Sequence, residues 1–74
     1  MILYHRIDDP GSAAVRRRVV ELEIKPQIDF QNVDTEGAEA FAQRGGRNVP
    51  ALWDGQRLRE GRAAVLAVLE TLRR

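Results

Sequence analysis

The 74-residue chain contains no cysteine, one lysine (Lys25) and one histidine (His5). Without cysteine it cannot form a disulfide, present a thiolate nucleophile or bind a metal through sulfur. A metal site would have to be built from His5 and carboxylates alone, so we expect none. No apolar run approaches the roughly 20 residues of a membrane-spanning helix. No leader-like segment precedes the first apolar run, 1–4, and we therefore expect a cytoplasmic protein that stays out of the membrane.

An excess of charge of one sign is also absent, because 12 basic and 11 acidic residues give a formal net charge of +1. Such a chain has no strong field that would attract nucleic acid, and we expect no nucleic-acid partner. Arg16, Arg17 and Arg18 do not form a basic face, since successive helical residues point about 100° apart. With 43% hydrophobic and 31% charged residues, the composition is typical of a soluble globular protein, and residues 1–74 are predicted to form one domain.

The first half of the chain alternates strand-like and helical segments. Ile2-Leu3-Tyr4 predicts a buried strand. Asp9 and Pro10 suit the N-cap and first position of a helix that ends at Pro26, with Val15, Val19 and Leu22 on its apolar face. A second strand is predicted at 27–33. A second helix follows, capped by Asp34 or Thr35, with Glu36 in its first turn and an apolar face made of Ala38, Phe41 and Ala42; Gly45-Gly46 ends it.

The second half predicts a hairpin followed by a helix. Two strand-like runs, Ala51-Leu52-Trp53 and Gln56-Arg57-Leu58, flank Asp54-Gly55, and this pairing is the strongest short-range hairpin signal. The last helix is predicted from about Gly61 to Leu72, with its apolar residues recurring at helical spacing. The predicted order is β-α-β-α-β-β-α. A right-handed crossover makes the first two strands parallel, so we expect an α/β fold with a mixed four-stranded sheet and helices on both faces.

This order, with Val49-Pro50 directly before the third strand, resembles the thioredoxin fold in its short glutaredoxin form over nearly the whole chain. It is also similar to the N-terminal domain of glutathione S-transferases. The segment 49–55 and the segment 60–64 are similar to that family's Val-Pro-x-Leu-x-Asp-Gly and Glu-Ser-x-Ala-Ile patterns. Asp9-Pro10-Gly11-Ser12 followed by Val15-Arg16 resembles the Ser-Pro-x-Ser-x-x-Val-Arg found after the first strand.

The departures from these families decide the expected chemistry. Asp9-Pro10-Gly11-Ser12 stands where glutaredoxins carry Cys-Pro-x-Cys or Cys-Pro-x-Ser, so an aspartate replaces the nucleophilic cysteine. A carboxylate cannot form a mixed disulfide, and thiol-disulfide exchange at Asp9 is excluded. Gly61 replaces the serine that helps to hold the γ-glutamyl carboxylate of glutathione. Glutathione S-transferases also use a second, all-helical domain, which this sequence does not contain.

The resemblance implies a groove for glutathione or an extended peptide, with no other cofactor and no catalytic residue. A residue before a cis proline turns its N–H and C=O outward, where a peptide can pair with them as an added strand; the sequence leaves open whether Pro50 is cis. Helix N-termini offer N–H groups to a carboxylate. The predicted groove residues are Arg6, Asp9, Ser12, Val49, Pro50, Glu60 and Gly61.

Each of these residues also has a plain structural explanation. Asp9 suits an ordinary N-cap, Ser12 a hydroxyl at the start of a helix, Pro50 a turn, and Glu60 an acid that complements a helix dipole. Arg6, with His5, falls at the end of the first strand, where open α/β sheets bind ligands, and a solvated strand end is the favoured explanation.

Three functions stay open at this stage. The first is a redox-inactive, glutaredoxin-like binding module for glutathione or a peptide. The second is a glutathione-transferase-like enzyme that needs a partner domain and orients the glutathione thiol with Ser12 or Tyr4. The third is a structural domain that forms a homodimer through an apolar surface near Trp53.

Overall fold

The computed structural model of the protein describes residues 1–72, and its four strands form one mixed sheet in the order β2-β1-β3-β4. The strands are β1 (Ile2–His5), β2 (Asp29–Asn32), β3 (Ala51–Trp53) and β4 (Leu58–Glu60). β1 pairs with β2 in parallel, whereas β3 is antiparallel to both β1 and β4. The predicted α/β class and mixed four-stranded sheet are thus confirmed.

Three α-helices lie within residues 1–72: α1 (Pro10–Glu21), α2 (Ala38–Gln43) and α3 (Arg62–Thr71). The element order differs from the predicted one by a 3₁₀ helix, Lys25–Gln27, which precedes β2. α1 therefore ends at Glu21 and does not continue to the predicted boundary at Pro26. Glu23, with φ of 57°, takes the left-handed conformation directly after the C-cap at Leu22 and turns the chain there.

The main core lies between the sheet and the pair α1 and α3. Leu3 of β1 and Leu52 of β3 are fully buried on this face and pack against the two helices. The predicted apolar face of α1 is confirmed, since Val15 and Val19 are fully buried and the half-buried Leu22 packs on the core. The other core side chains come from α3 and from the 3₁₀ turn: Val65, Val68, Leu69, Ile24 and Ile28.

A smaller cluster occupies the other face of the sheet, under α2. Tyr4, Val33 and Ala51 are buried there. Ala40 and Phe41 of α2 pack on them, and the rings of Phe41 and Tyr4 are 5.3 Å apart. The predicted face of this helix was wrong in part, because Ala38 and Ala42 are exposed.

α2 begins later than predicted because the polar residues before it build a turn. Its N-cap is Gly37, not Asp34 or Thr35. Glu36 accepts a hydrogen bond from the Asn32 N–H at 2.8 Å, and Asn32 accepts one from the Asp34 N–H at 2.8 Å. Side chains that accept hydrogen bonds from nearby backbone N–H groups in this way stabilise a turn in place of the first turn of a helix.

The hairpin loop is also longer than predicted. Asp54 Oδ1 accepts the N–H groups of Gln56 and Arg57 at 2.9 and 2.8 Å. This widens the predicted two-residue turn to a loop over 54–57, so that β4 starts at Leu58 and not at Gln56. Gly55, with φ of 101°, supplies the positive φ that the loop needs.

Candidate functional site

One end of the sheet, where β1 ends and β3 begins, brings together most of the predicted groove. A methyl group placed on Gly11 would lie 3.2 Å from Pro50 Cδ and 3.4 Å from Asp9 Oδ2. The start of α1 and the Val49-Pro50 segment therefore face each other directly. The Gly61 N–H donates to the Pro50 carbonyl at 2.9 Å, and this bond joins the start of α3 to the same segment.

Asp9 is the N-cap of α1. Its Oδ2 accepts the Ser12 N–H at 2.7 Å, and the residue itself has extended dihedral angles, φ −93° and ψ 123°. This is the ordinary geometry of a capping aspartate. Asp9 Oδ2 and Pro50 Cδ both lie within 3.4 Å of the position that a methyl group on Gly11 would take, so the capping carboxylate is near the Pro50 ring.

Ser12 is enclosed by the fold. The residue is 0% exposed, and its Oγ accepts the Arg6 N–H at 3.1 Å. The hydroxyl thus joins the end of β1 to the first turn of α1. It does not reach the groove surface, and its contacts are those of a structural side chain.

Glu60 fixes the loop that precedes Val49-Pro50. Its Oε1 accepts the N–H groups of Arg47 and Asn48, both at 2.7 Å. These two hydrogen bonds, from Arg47 first, lower the pKa of the Glu60 carboxyl, because they favour its charged form. Glu60 therefore acts on the groove through the backbone of the loop.

Gly61 is the N-cap of α3, with φ of 97° and ψ of 150°. This region of backbone space is essentially restricted to glycine. The missing serine of the resemblance thus coincides with a backbone conformation that serine adopts only with strain. No side chain caps α3, so the N–H groups of Arg62, Ala63 and Ala64 have no hydrogen-bond acceptor within residues 1–72.

Val49 has the unpaired backbone that the groove hypothesis requires. The Val49–Pro50 peptide bond is cis, Pro50 is buried and Val49 is half-buried. Among residues 1–72, neither the N–H nor the C=O of Val49 has a hydrogen-bond partner. A donor and an acceptor for an extended chain are thus open beside the start of β3.

Arg6 directs its guanidinium to the loop after β2. Its Nε lies 3.1 Å from Asp34 Oδ2 in an exposed ion pair. Exposed pairs of this kind hold side chains only weakly, so Asp34 competes with any ligand for the Arg6 side chain without fixing it.

His5, next to this end of the sheet, is only 7% exposed. Arg16 Nη1 donates to His5 Nδ1 at 2.9 Å, which requires an unprotonated Nδ1. Burial, and after it the positive charge of Arg16, lower the pKa of His5. With its ring edge on Phe30, His5 is a core histidine.

The sequence did not single out two residues that flank this end. The Arg62 side chain is exposed, its Cβ lies close to Gly11, and no ion pair or hydrogen bond engages its guanidinium within residues 1–72. Ile7 is 64% exposed in the turn between β1 and α1. An isoleucine between Arg6 and Asp8, in the polar break after the first predicted strand, was the available sequence signal for the second of these residues.

A separate cavity of about 490 Å³ lies at the opposite end of the sheet, between α3 and the β3–β4 hairpin. Arg59 lines it; one of its terminal nitrogens is 3.5 Å from Asp54 Oδ2, and its buried Nε has no hydrogen-bond partner within residues 1–72. The remaining lining residues are Met1, Ala67, Val68 and Thr71.

Comparisons with known proteins found no relative of this chain. No family model, curated protein or solved structure matches the chain. Within residues 1–72 no group of three or more histidine or acidic side chains is arranged to hold a metal ion. In the same part of the chain, no helix combines the length and the apolar character needed to cross a membrane.

Proposed function

We propose that the chain is a small thioredoxin-fold, glutaredoxin-like domain that binds glutathione or an extended peptide and has no thiol-disulfide redox activity. The observation that carries the proposal is that the N–H and C=O of Val49, next to the uncapped start of α3, have no hydrogen-bond partner among the residues that the structure describes. An extended ligand backbone pairs with Val49 in the manner of an added strand. Its carboxylate then lies at the N–H groups of α3.

Charge at the site favours this orientation of the ligand. The start of α1 already holds an anion, since the Asp9 carboxylate occupies it. The start of α3 has no acidic residue in its first turn and carries the guanidinium of Arg62, which has no partner in the described part of the chain, 1–72. A ligand carboxylate is therefore attracted to α3 and repelled at α1, which is where a thiolate would lie in a redox-active relative.

The positions of the two candidate hydroxyls, those of Ser12 and Tyr4, argue against the transferase alternative. Ser12 and Tyr4 are both 0% exposed. The Tyr4 hydroxyl accepts a hydrogen bond from Arg44 Nε at 2.9 Å, and the Ser12 hydroxyl is bound to the Arg6 N–H. A residue that orients a ligand thiol must approach it within hydrogen-bond distance, and neither hydroxyl lies at the surface of the groove.

A glutathione titration tests the binding proposal. We expect the amide resonances of Val49, Arg62 and Ala63 to shift in ¹⁵N-labelled protein at about millimolar glutathione, which corresponds to a binding free energy of about −4 kcal/mol. S-methylglutathione is expected to bind equally well, because the thiol takes no part. The absence of any shift near Asp9, Val49 and Gly61 would remove glutathione as the ligand, and an unrelated extended peptide then tests the remaining mode.

Two charge-reversal variants locate the ligand carboxylate. Arg62→Glu is expected to weaken binding about tenfold, because it places a negative charge at the start of α3. Lys25→Glu is the matched control, since Lys25 is exposed in the 3₁₀ turn beyond the far end of α1. Equal losses in both variants would mean that net charge, and not the α3 site, controls binding. Turnover of a chloro-nitrobenzene substrate would instead support the transferase alternative.

A further inference from the structure

We infer that His5 and Arg16 form a pH-dependent latch, which holds the turn between β1 and α1 while His5 is neutral and releases it when His5 is protonated. The turn comprises residues 6–9 and leads into the first helix. The latch does not depend on the proposed ligand, because its contacts involve neither Val49 nor the start of α3.

The guanidinium of Arg16 holds the turn through hydrogen bonds to three acceptors. Its Nη1 donates to His5 Nδ1 at 2.9 Å and to the Arg6 carbonyl at 3.1 Å. Its Nη2 donates to the Ile7 carbonyl at 3.2 Å. Of these acceptors, only the imidazole nitrogen takes up a proton in mildly acidic solution. The position of Arg16, and with it the turn, is therefore sensitive to the protonation state of His5.

Packing does little to hold the turn. The side chains of Arg6, Ile7 and Asp8 are all exposed. The Asp9 N–H reaches the Arg6 carbonyl at 3.3 Å, and the Arg6 side chain is in the exposed ion pair with Asp34. A segment with few buried contacts and exposed hydrogen bonds opens locally without unfolding the domain. The contacts of Arg16 are therefore decisive for the order of this turn.

Protonation of His5 removes an acceptor and adds a charge. A protonated Nδ1 is a donor and cannot accept the hydrogen bond from Arg16. Because His5 is buried, water screens the repulsion between its imidazolium and the guanidinium only weakly. Arg16 then moves away from the ring, and the carbonyls of Arg6 and Ile7 lose their donor.

The charged groups around His5 keep the latch closed at neutral pH. Within residues 1–72, burial and then the charge of Arg16 on α1 lower the pKa of His5, whereas Glu36, in the turn before α2, favours the protonated form. Glu36 stays ionised as the pH falls, since the hydrogen bond from the Asn32 N–H above all lowers its pKa to about 2. β2 contributes the uncharged ring of Phe30.

Release of the turn reaches the start of α1 but not the core. The Arg6 N–H donates to Ser12 Oγ at 3.1 Å, so the turn is joined to the first turn of the helix. The two hydrophobic clusters include none of residues 6–9. We therefore expect the domain to stay folded when the turn opens.

A pH titration of the ¹⁵N-labelled full chain from about pH 7.5 to about pH 4 tests the latch, with the ring protons of His5 reporting its protonation. We expect the amide order parameters of Ile7 and Asp8 to fall from about 0.85 to about 0.6 or below as the ring is protonated. The order parameter of Leu52, in the core, is expected to stay unchanged. Unchanged order parameters at Ile7 and Asp8 after protonation overturn the inference. Loss of the far-ultraviolet circular dichroism in step with His5 protonation also overturns it, because the whole domain and not the turn would then respond.

Variants separate the latch from the titration of other groups. His5→Gln offers an amide oxygen that does not titrate, and it is expected to keep Ile7 and Asp8 rigid down to about pH 4. Arg16→Gln removes the guanidinium and is expected to leave the turn mobile already at neutral pH. Arg17→Gln makes the same change of charge at an exposed neighbour on α1 and is the matched control, expected to behave as the wild type. A turn that loosens with pH in His5→Gln as in the wild type, or one that stays rigid in Arg16→Gln at neutral pH, overturns the inference.

Discussion

Replacing Glu60 with alanine tests whether one carboxylate holds the loop that carries Val49 and Pro50. Its Oε1 accepts two backbone N–H groups, from Arg47 and Asn48, both at 2.7 Å. A hydrogen bond to a charged group contributes about 1.5–3 kcal/mol. Because the two bonds share one oxygen and water reaches the loop, we expect Glu60→Ala to lower the free energy of unfolding by about 2 kcal/mol in total.

Urea and thermal unfolding measure this loss. For a domain of this size, about 2 kcal/mol corresponds to a fall of roughly 8–16 °C in Tm. Glu60→Gln is the matched control, since its amide oxygen still accepts both N–H groups without the charge. It is expected to lose less than half as much stability as Glu60→Ala, and hydrogen exchange at Arg47 and Asn48 should accelerate most in the alanine variant.

The pH dependence gives an independent check on the same contact. Because the folded-state pKa of Glu60 is lowered, its contribution is complete above the pKa of the unfolded chain, about 4.3. That contribution is lost as the pH falls through the lower folded-state value. Glu60→Gln removes this part of the acid sensitivity. If Glu60→Ala unfolds at the wild-type midpoint, or if both variants lose the same stability, the hydrogen bonds to this carboxylate do not hold the loop.

Four further variants follow from the same geometry. Burial, and after it the charge of Arg16, lower the pKa of His5. His5 therefore stabilises the fold at neutral pH, and this contribution falls by at most about 1.4 kcal/mol per pH unit as the pH drops below about 6.5. Arg16→Gln should raise the pKa of His5, the single histidine, in an NMR titration. Gly61→Ser should lower the free energy of unfolding by about 1–3 kcal/mol, because its positive φ strains any side chain, and an unchanged urea midpoint would contradict this. Leu52→Ala, at a fully buried position, should cost about 2–5 kcal/mol and leave little folded protein by circular dichroism at 25 °C. Asp9→Cys should give a thiol with a pKa below about 8.5, because the N–H that Asp9 now caps would stabilise the thiolate; an ordinary value in an absorbance titration at 240 nm would exclude that stabilisation.

The fold could be predicted where local signals and tertiary packing agree. The Asp9-Pro10 pair marked the start of α1 because capping and a fixed φ act within a few residues. The Ile2-Leu3-Tyr4 run marked β1 because its residues have strand propensity and few competing local contacts. The alternation of strands and helices then determined the parallel pairing of β1 with β2 through the handedness of the crossover.

The boundaries that failed are those at which side chains bind nearby backbone. Asp34 and Thr35 were predicted to cap a helix, but Asn32 and Glu36 form a turn across the same residues. At the hairpin, Asp54 binds two successive N–H groups and lengthens the loop. Aspartate and asparagine suit caps and turns alike, so their identity alone did not show which structure forms.

The sequence predicted which residues of the candidate site lie near one another. It did not predict which of their polar groups are free to bind a ligand. Asp9, Pro50 and Gly61 do lie at one end of the sheet. Ser12 and Glu60, however, direct their polar atoms to the backbone. Which hydrogen bond a side chain makes depends on distances that no sequence pattern contains.

The two helix starts at this end of the sheet differ in whether their N–H groups are available to a ligand. At α1 an aspartate supplies a permanent anion, so the N–H groups there hold the protein's own carboxylate. At α3 a glycine in a positive-φ conformation supplies no side chain, so the N–H groups there have no acceptor within residues 1–72. The aspartate at one helix start and the glycine at the other thus have opposite consequences. The first blocks a helix start, whereas the second leaves one free beside the Val49 backbone, which has no hydrogen-bond partner in the same part of the chain, and only the second offers room for a ligand's negative charge.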